Sequence, residues 1–212
     1  MSAERRWVLA TGNRGKLAEL SSLFREAGLD LELVSQADLG IDAAPEEGVT
    51  FLENALAKAR HAARASGLPA IADDSGLCVD ALGGAPGVRS ARYAGESAED
   101  RANVAKLLDA LRSVPEHERG ARFYCVLVAL GSADDPSPVI ASGEWRGRIA
   151  ARPRGCGGFG YDPVFVDLAT GLTAAELSPA AKNLVSHRGR ALVALAAALR
   201  SRRPADSSST AC

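Results

Sequence analysis

Two adjacent carboxylates, Asp73 and Asp74, follow the apolar run 70–72 and precede Ser75-Gly76. Acids at the end of an apolar strand place hard oxygen donors at the rim of a sheet. With a third acid from the acidic loop at Glu46 or Glu47, they suit Mg2+, which is held by a few carboxylates together with substrate phosphates. Such an ion would offset charge on a triphosphate and help deprotonate a water. Consecutive acids also serve as turn residues or helix caps, so spacing alone leaves both readings open. A second motif, Thr11-Gly12-Asn13-Arg14-Gly15-Lys16, lies between an apolar run and a segment of helical period. Glycines admit a ligand close to the backbone, the N–H groups of a first helical turn point outward, and Lys16 adds a full charge, a combination suited to a phosphate chain. It is not a P-loop, because it lacks the longer gap between glycines and the Ser/Thr after lysine. An ordinary strand-to-helix turn with a surface lysine fits the same spacing.

Two further segments could recognise a base. Gly157-Gly158-Phe159-Gly160-Tyr161-Asp162-Pro163 carries two aromatics and an acid on a glycine loop, able to stack a planar ring and read its edge; a tight turn with core aromatics is the alternative. Ser186-His187-Arg188 falls where a C-terminal helix is expected to start. Cations there oppose the helix dipole by a few tenths to about 1 kcal/mol, and a ligand with electron-rich oxygens would remove the conflict. A solvated basic face is the competing view. Lys182 lies one short helix earlier. It stands out because arginine outnumbers lysine 21 to 4. Asn54, with Glu53 in a capping-box sequence, belongs either to a helix start or to the support of the acids.

These residues need a scaffold, and the chain alternates short apolar runs with helix-period segments, the pattern of an α/β protein. Strands are expected at 7–11, 31–35, 70–72, 122–130 and 163–166, with a strand pair, 139–142 and 144–149, turning at Gly143. Helices are expected from about 16 to 27, from Thr50 to Ser66, from Ser97 or Asp100 to about 111, after Ser178-Pro179, and from 186 to 200. The elements interleave evenly, so residues 1–200 read as one domain with two lobes around a cleft, and the polar stretch 201–212 as a disordered tail.

The 212 residues, 47% hydrophobic and 24% charged with a net charge of -1, bury enough apolar surface to fold without staples and offer no general attraction to nucleic acid or an anionic membrane. Four scattered cysteines form no CxxC pair, and the apolar stretch near Trp7 is too short for a signal or membrane segment. A reduced, cytoplasmic protein is expected, with neither nucleic acid nor membrane as partner.

Six segments in order, TGNRGK, TFLENA, ADDSGL, GGAPGVRSARYAG, GFGYDPVF and SHRGRAL, resemble the inosine triphosphate pyrophosphatase family between about Trp7 and Arg200. The resemblance implies an elongated mixed sheet flanked by helices, two lobes with a cleft between them, and a homodimer. It implies Mg2+-dependent cleavage of deaminated purine triphosphates such as ITP, dITP and XTP to the monophosphate and pyrophosphate. Carried over by motif, Thr11, Gly12, Asn13, Arg14, Gly15 and Lys16 hold the triphosphate. Asp74 is the general base, with Glu46, Asp73 and Asp74 at the metal. Asn54, Ser75, Phe159, Gly160, Tyr161, Asp162, Lys182, His187 and Arg188 bind the nucleotide. A related enzyme of pyrimidine or modified nucleotides is the alternative. A nucleotide sensor would not need the acids, and a nucleic-acid module would need a basic stripe that the charge balance does not supply.

Overall fold

Among the described residues, strands pair in the order β2-β1-β3-β4-β5-β6, where β1 is Arg6–Ala10, β2 Glu32–Ser35, β3 Ala70–Val79, β4 Gly120–Leu130, β5 Val139–Ile149 and β6 Phe165–Asp167. The structure is a computed structural model that describes residues 6–11, 14–28 and 31–202, with residues 14–19 as backbone only. The first three strands are parallel, and β4, β5 and β6 add antiparallel. The helices are α1 (Arg14–Glu26), α2 (Phe51–Ser66), α3 (Asp100–Ala110), α4 (Pro179–Val185) and α5 (His187–Arg202).

Strand alternation assigns each helix a face. On one side Val8, Ala10, Ala70, Ala72, Val126 and Val128 pack under α2. That helix presents a stripe of Ala55, Ala59, Ala62 and Ala63, small enough for it to lie close to the sheet. Its start is fixed by the capping box expected from sequence: Thr50 Oγ1 accepts from the Glu53 N–H while Glu53 accepts from the Thr50 N–H, and Gly67 ends the helix at φ 68°. On the other side Leu9, Ile71, Leu127 and Ala141 meet α1 and α5, and an adjoining cluster of Leu77, Phe123, Trp145 and Phe165 meets α3.

Four boundaries differ from the sequence expectation, the first two for a tertiary reason. β3 does not stop at Asp73 but continues to Val79, because β4 pairs with it along its whole length, from Ala70 with Leu130 to Val79 with Ala121. Pairing overrides the turn propensity of Asp-Asp-Ser-Gly. The expected strand pair at 139–149 is one continuous strand, and Gly143 is no turn. A Cβ there would lie 2.1 Å from the His187 carbonyl oxygen, so the missing side chain lets α5 approach the sheet. α3 starts at Asp100 without a side-chain cap from Ser97. α5 also runs to Arg202, which takes Ser201 and Arg202 out of the expected tail; residues 203–212 lie outside the described residues.

The order β2-β1-β3 creates a topological switch point. From β1 the chain moves through α1 to one neighbour, then through α2 to the strand on the opposite side of β1. Connections diverge at the carboxyl ends of β1 and β3, which is where open parallel sheets leave a crevice for ligands. The last paired residues are Ala10 and Ala72, so Thr11 and Asp73 are the first to leave that seam.

Candidate active site

Because side chains alternate along a strand, Asp73 and Asp74 point to opposite faces of β3. Asp74 turns toward α2. Its Oδ1 accepts from Lys58 Nζ at 2.7 Å and its Oδ2 from Asn54 Nδ2 at 3.3 Å. Asn54 and Lys58 are four residues apart on α2 and therefore share a face. Lys58 also forms an ion pair with Glu46 and reaches the Asp73 carbonyl oxygen at 3.4 Å. The second oxygen of Glu46 accepts from Arg92 Nη1 at 2.7 Å, and its carbonyl accepts from Arg92 Nη2 at 3.0 Å. Asn54 Oδ1 in turn accepts the Gly48 N–H at 2.8 Å, tying the Glu46 loop to the helix that carries Lys58. Burial works against the Lys58 ammonium, but Asp74 and Glu46 outweigh it and hold its pKa above the ordinary lysine value.

Asp73 and Ser75 turn toward α5. Ser75 Oγ donates to Asp73 Oδ2 at 2.7 Å, Arg188 Nη2 donates to Ser75 Oγ at 2.9 Å, and Arg188 Nε lies 3.5 Å from Asp73 Oδ2. The conflict expected of a cation at a helix start is thus met by a carboxylate from β3. His187 lies parallel to Phe123, with centroids 4.8 Å apart and planes at 12°. Phe159 receives two cations over its ring, Lys182 Nζ at 5.1 Å and Arg188 Cζ at 5.2 Å from the centroid. The glycine loop is held at three points: Asp162 Oδ2 accepts from the Phe159 N–H at 2.9 Å and from Lys182 Nζ at 2.7 Å, Asp100 accepts from the Gly160 N–H at 2.7 Å, and the Tyr161 hydroxyl donates to the Ser90 carbonyl at 2.9 Å. Tyr161 is a core residue, and burial raises the pKa of its phenol. A cavity of about 90 Å³ opens between Ser75, Phe123, Phe159, His187 and Arg188. A larger one of about 720 Å³ is lined by parts of the TFLENA and GGAPGVRSARYAG segments, with Arg122 and Tyr124, but by none of the expected catalytic, nucleotide-binding or metal residues.

Thr11 is buried at the end of β1, beside the start of the acidic segment. Gly12 and Asn13 lie outside the described residues. Arg14, Gly15 and Lys16 open α1 as backbone, and their side chains are likewise outside the description.

The sequence profile of the Ham1 family matches residues 7–198. A protein from Shigella flexneri named dITP/XTP pyrophosphatase is 59% identical over 193 residues, 91% of this chain and 97% of that one. Its Escherichia coli K12 counterpart of the same name is 58% identical over the same span. The chain belongs to the Ham1 family. The HAM1 protein of Coxiella burnetii superposes with a TM-score of 0.84 at 47% identity, covering 92% of this chain and 98% of that one; for the Ham1 protein of Staphylococcus aureus the values are 0.81, 38%, 93% and 100%. The mixed sheet with flanking helices is therefore the family fold, as the motifs imply.

Within this Ham1 fold, the acids sort differently from the sequence expectation. Among the described residues no three His, Cys, Asp or Glu side chains converge as a metal cage. Glu46 and Asp74 converge on one point, and the third oxygen there is the carbonyl, not the carboxylate, of Asp73. Three oxygens around one cation are the donor chemistry that suits Mg2+, which fills its shell with water or phosphate oxygens. The residues present fit the ion.

Sequence reasoning passed over Lys58, Arg92, Ser90 and Phe123. Lys58 carried a signal, being one of four lysines and four residues after Asn54. Arg92 stands inside a quoted motif, yet nothing local ties it to an acid 46 residues earlier. Phe123 reads as core, and only the docking of α5 turns its face to His187.

Proposed function

We propose that this Ham1-family protein hydrolyses the triphosphates of deaminated purines, ITP, dITP and XTP, to the monophosphate and pyrophosphate, and so clears them from the nucleotide pool. One observation carries the reading: consecutive residues of β3 face an acid pair on one side, through Asp74, and an aromatic and cationic pocket on the other, through Ser75. A nucleotide lying across β3 where its pairing with β1 ends has its phosphates near Asp74 and its base near His187. The names of the Shigella flexneri and Escherichia coli relatives support the same substrate class.

In this reading Asp74, held by Asn54, orients a water and takes its proton as the oxygen bonds to the α-phosphorus. The bond from that phosphorus to the bridging oxygen breaks, and pyrophosphate leaves with the electron pair. Hydrolysis of this kind depends on positioning and on offsetting charge. The backbone at the start of α1, with Thr11 to Lys16, receives the phosphates, and Glu46 and Asp74 would hold Mg2+, which would supply further neutralisation of charge. His187 and Arg188 read the base. Arginine has only donors, so it favours the 6-oxo acceptor of hypoxanthine and xanthine over the 6-amino donor of adenine. Guanine shares the oxo group, and its rejection falls to the 2-amino side. A homodimer working in the cytoplasm completes the proposal.

The test is pyrophosphate release from ITP, dITP, XTP, GTP, ATP and TTP, each with Mg2+ and with EDTA. Preference for the deaminated purines, lost in EDTA, supports the reading. Preference for TTP or for modified bases would replace it with the related pyrophosphatase.

A further inference from the structure

The point at which Glu46, Asp74 and the Asp73 carbonyl converge is filled by the chain itself. Lys58 Nζ pairs with Glu46, lies 2.7 Å from Asp74 Oδ1 and lies 3.4 Å from the Asp73 carbonyl oxygen. Its side chain is 13% exposed, and that of Asp74 6%. Two carboxylates brought this close in a largely buried setting repel each other unless a cation lies between them. An ammonium and a hexacoordinate divalent ion both demand oxygens at that point, and they cannot share it. Arg92 approaches Glu46 from the other side, on Oε2 and the main-chain carbonyl, and leaves the shared point to Lys58.

We propose that Lys58 is a built-in counter-ion that holds the Glu46–Asp74 pair together before metal arrives and is displaced from it by the divalent cation. The inference rests on the proposed function for the identity of the ion. The helix keeps the released ammonium tethered within one side-chain length of the site, where it remains a positive charge for the arriving polyphosphate. Lys58 is thus a positioning residue in the metal-free protein, and its presence sets how tightly metal binds in the absence of nucleotide.

The experiment measures Mn2+ binding to the nucleotide-free protein by calorimetry, together with melting temperature in EDTA and in Mn2+, for wild type, Lys58→Met and Lys58→Gln. A charge in contact with both acids shifts an ionic equilibrium by about one to three decades, so the variants should bind Mn2+ at least about tenfold more tightly than wild type. They should also melt lower in EDTA and recover most of the difference in Mn2+, so that the metal-dependent rise is larger than in wild type. Lys106→Met removes the same charge from a lysine that contacts the Tyr93 carbonyl, and should leave Mn2+ affinity unchanged. Equal or weaker Mn2+ binding in both Lys58 variants, or instability that Mn2+ does not relieve, would overturn the proposal. If neither variant folds in EDTA, folding in Mn2+ supports it and failure to fold in Mn2+ overturns it. Pyrophosphate release by wild type separates the two ideas. Release from ITP without tighter metal binding in the variants removes only the counter-ion, whereas a wild type that neither binds Mn2+ nor releases pyrophosphate removes the function as well.

Discussion

Gly143 lies on β5 far from either acid in sequence, yet adding one methyl group there should damage base recognition. The built Cβ falls 2.1 Å from the His187 carbonyl oxygen and 2.5 Å from the Ala191 backbone nitrogen, where ordinary contact begins at 3.4 Å. Both neighbours are main-chain atoms of α5 and cannot swing aside, so in Gly143→Ala the start of that helix must retreat by more than about 1 Å. Such a movement lengthens the 2.9 Å bond from Arg188 to Ser75 beyond hydrogen-bonding range and opens the 4.8 Å stack of His187 on Phe123. Overpacking of this kind costs about 1–3 kcal/mol, which lowers Tm by about 3–10 °C for a chain of this size. Drawing Arg188 away from the base forfeits a charge-assisted bond to ITP, worth about 1.5–3 kcal/mol, or roughly tenfold and more in KM. Asp74 faces the opposite side of the sheet, so kcat should change little. The assay is steady-state pyrophosphate release with a thermal melt. An unchanged KM, with Tm within about 1 °C of wild type, would refute the claim that the close approach of α5 to β5 sets the pocket.

Asp74→Asn should lower kcat by about 10²–10⁴ while nucleotide binding survives, as checked by pyrophosphate release and calorimetry with ITP. Arg188→Ala should narrow the preference for ITP over ATP and also reduce stability by about 3–5 kcal/mol, because it removes a cation from the buried Asp73; competing-substrate rates and a urea melt read the two effects. For Asp167, burial raises the carboxyl pKa, but bonds from the Trp145 indole and Thr170 outweigh this and hold it below the usual range. A depressed folded pKa means stability present above about pH 4 and lost as pH falls through the folded value. Asp167→Asn should therefore be less stable at neutral pH and show a flatter acid limb, followed by urea midpoints against pH.

Much of the fold was legible because its signals are local. The capping box at Thr50, the glycine stop at Gly67 and the proline start at Pro179 each depend on a few neighbouring residues, and each defines a helix boundary. Where the reading failed, a distant partner decided. Asp73 to Val79 became strand because β4 offered ten residues of pairing, and Gly143 stayed extended because α5 required the space. The site divides in the same way. Asp74, Asp162, Lys182, His187 and Arg188 stood out by type and spacing and Ser75 through the family motif; the structure sets Arg188 against Ser75 and Lys182 against Asp162, with Asp74 on the opposite face of β3. That Asp73 serves α5 while Asp74 serves α2 follows from strand alternation, but only once the segment is known to be strand.

The central claim is that water attacks the α-phosphorus beside Asp74. Turnover of ITP in water enriched in oxygen-18, with both products weighed by mass spectrometry, tests it most directly. The label should appear in the inosine monophosphate, with the pyrophosphate unlabelled. Label in the pyrophosphate, or release of orthophosphate in its place, would contradict the account.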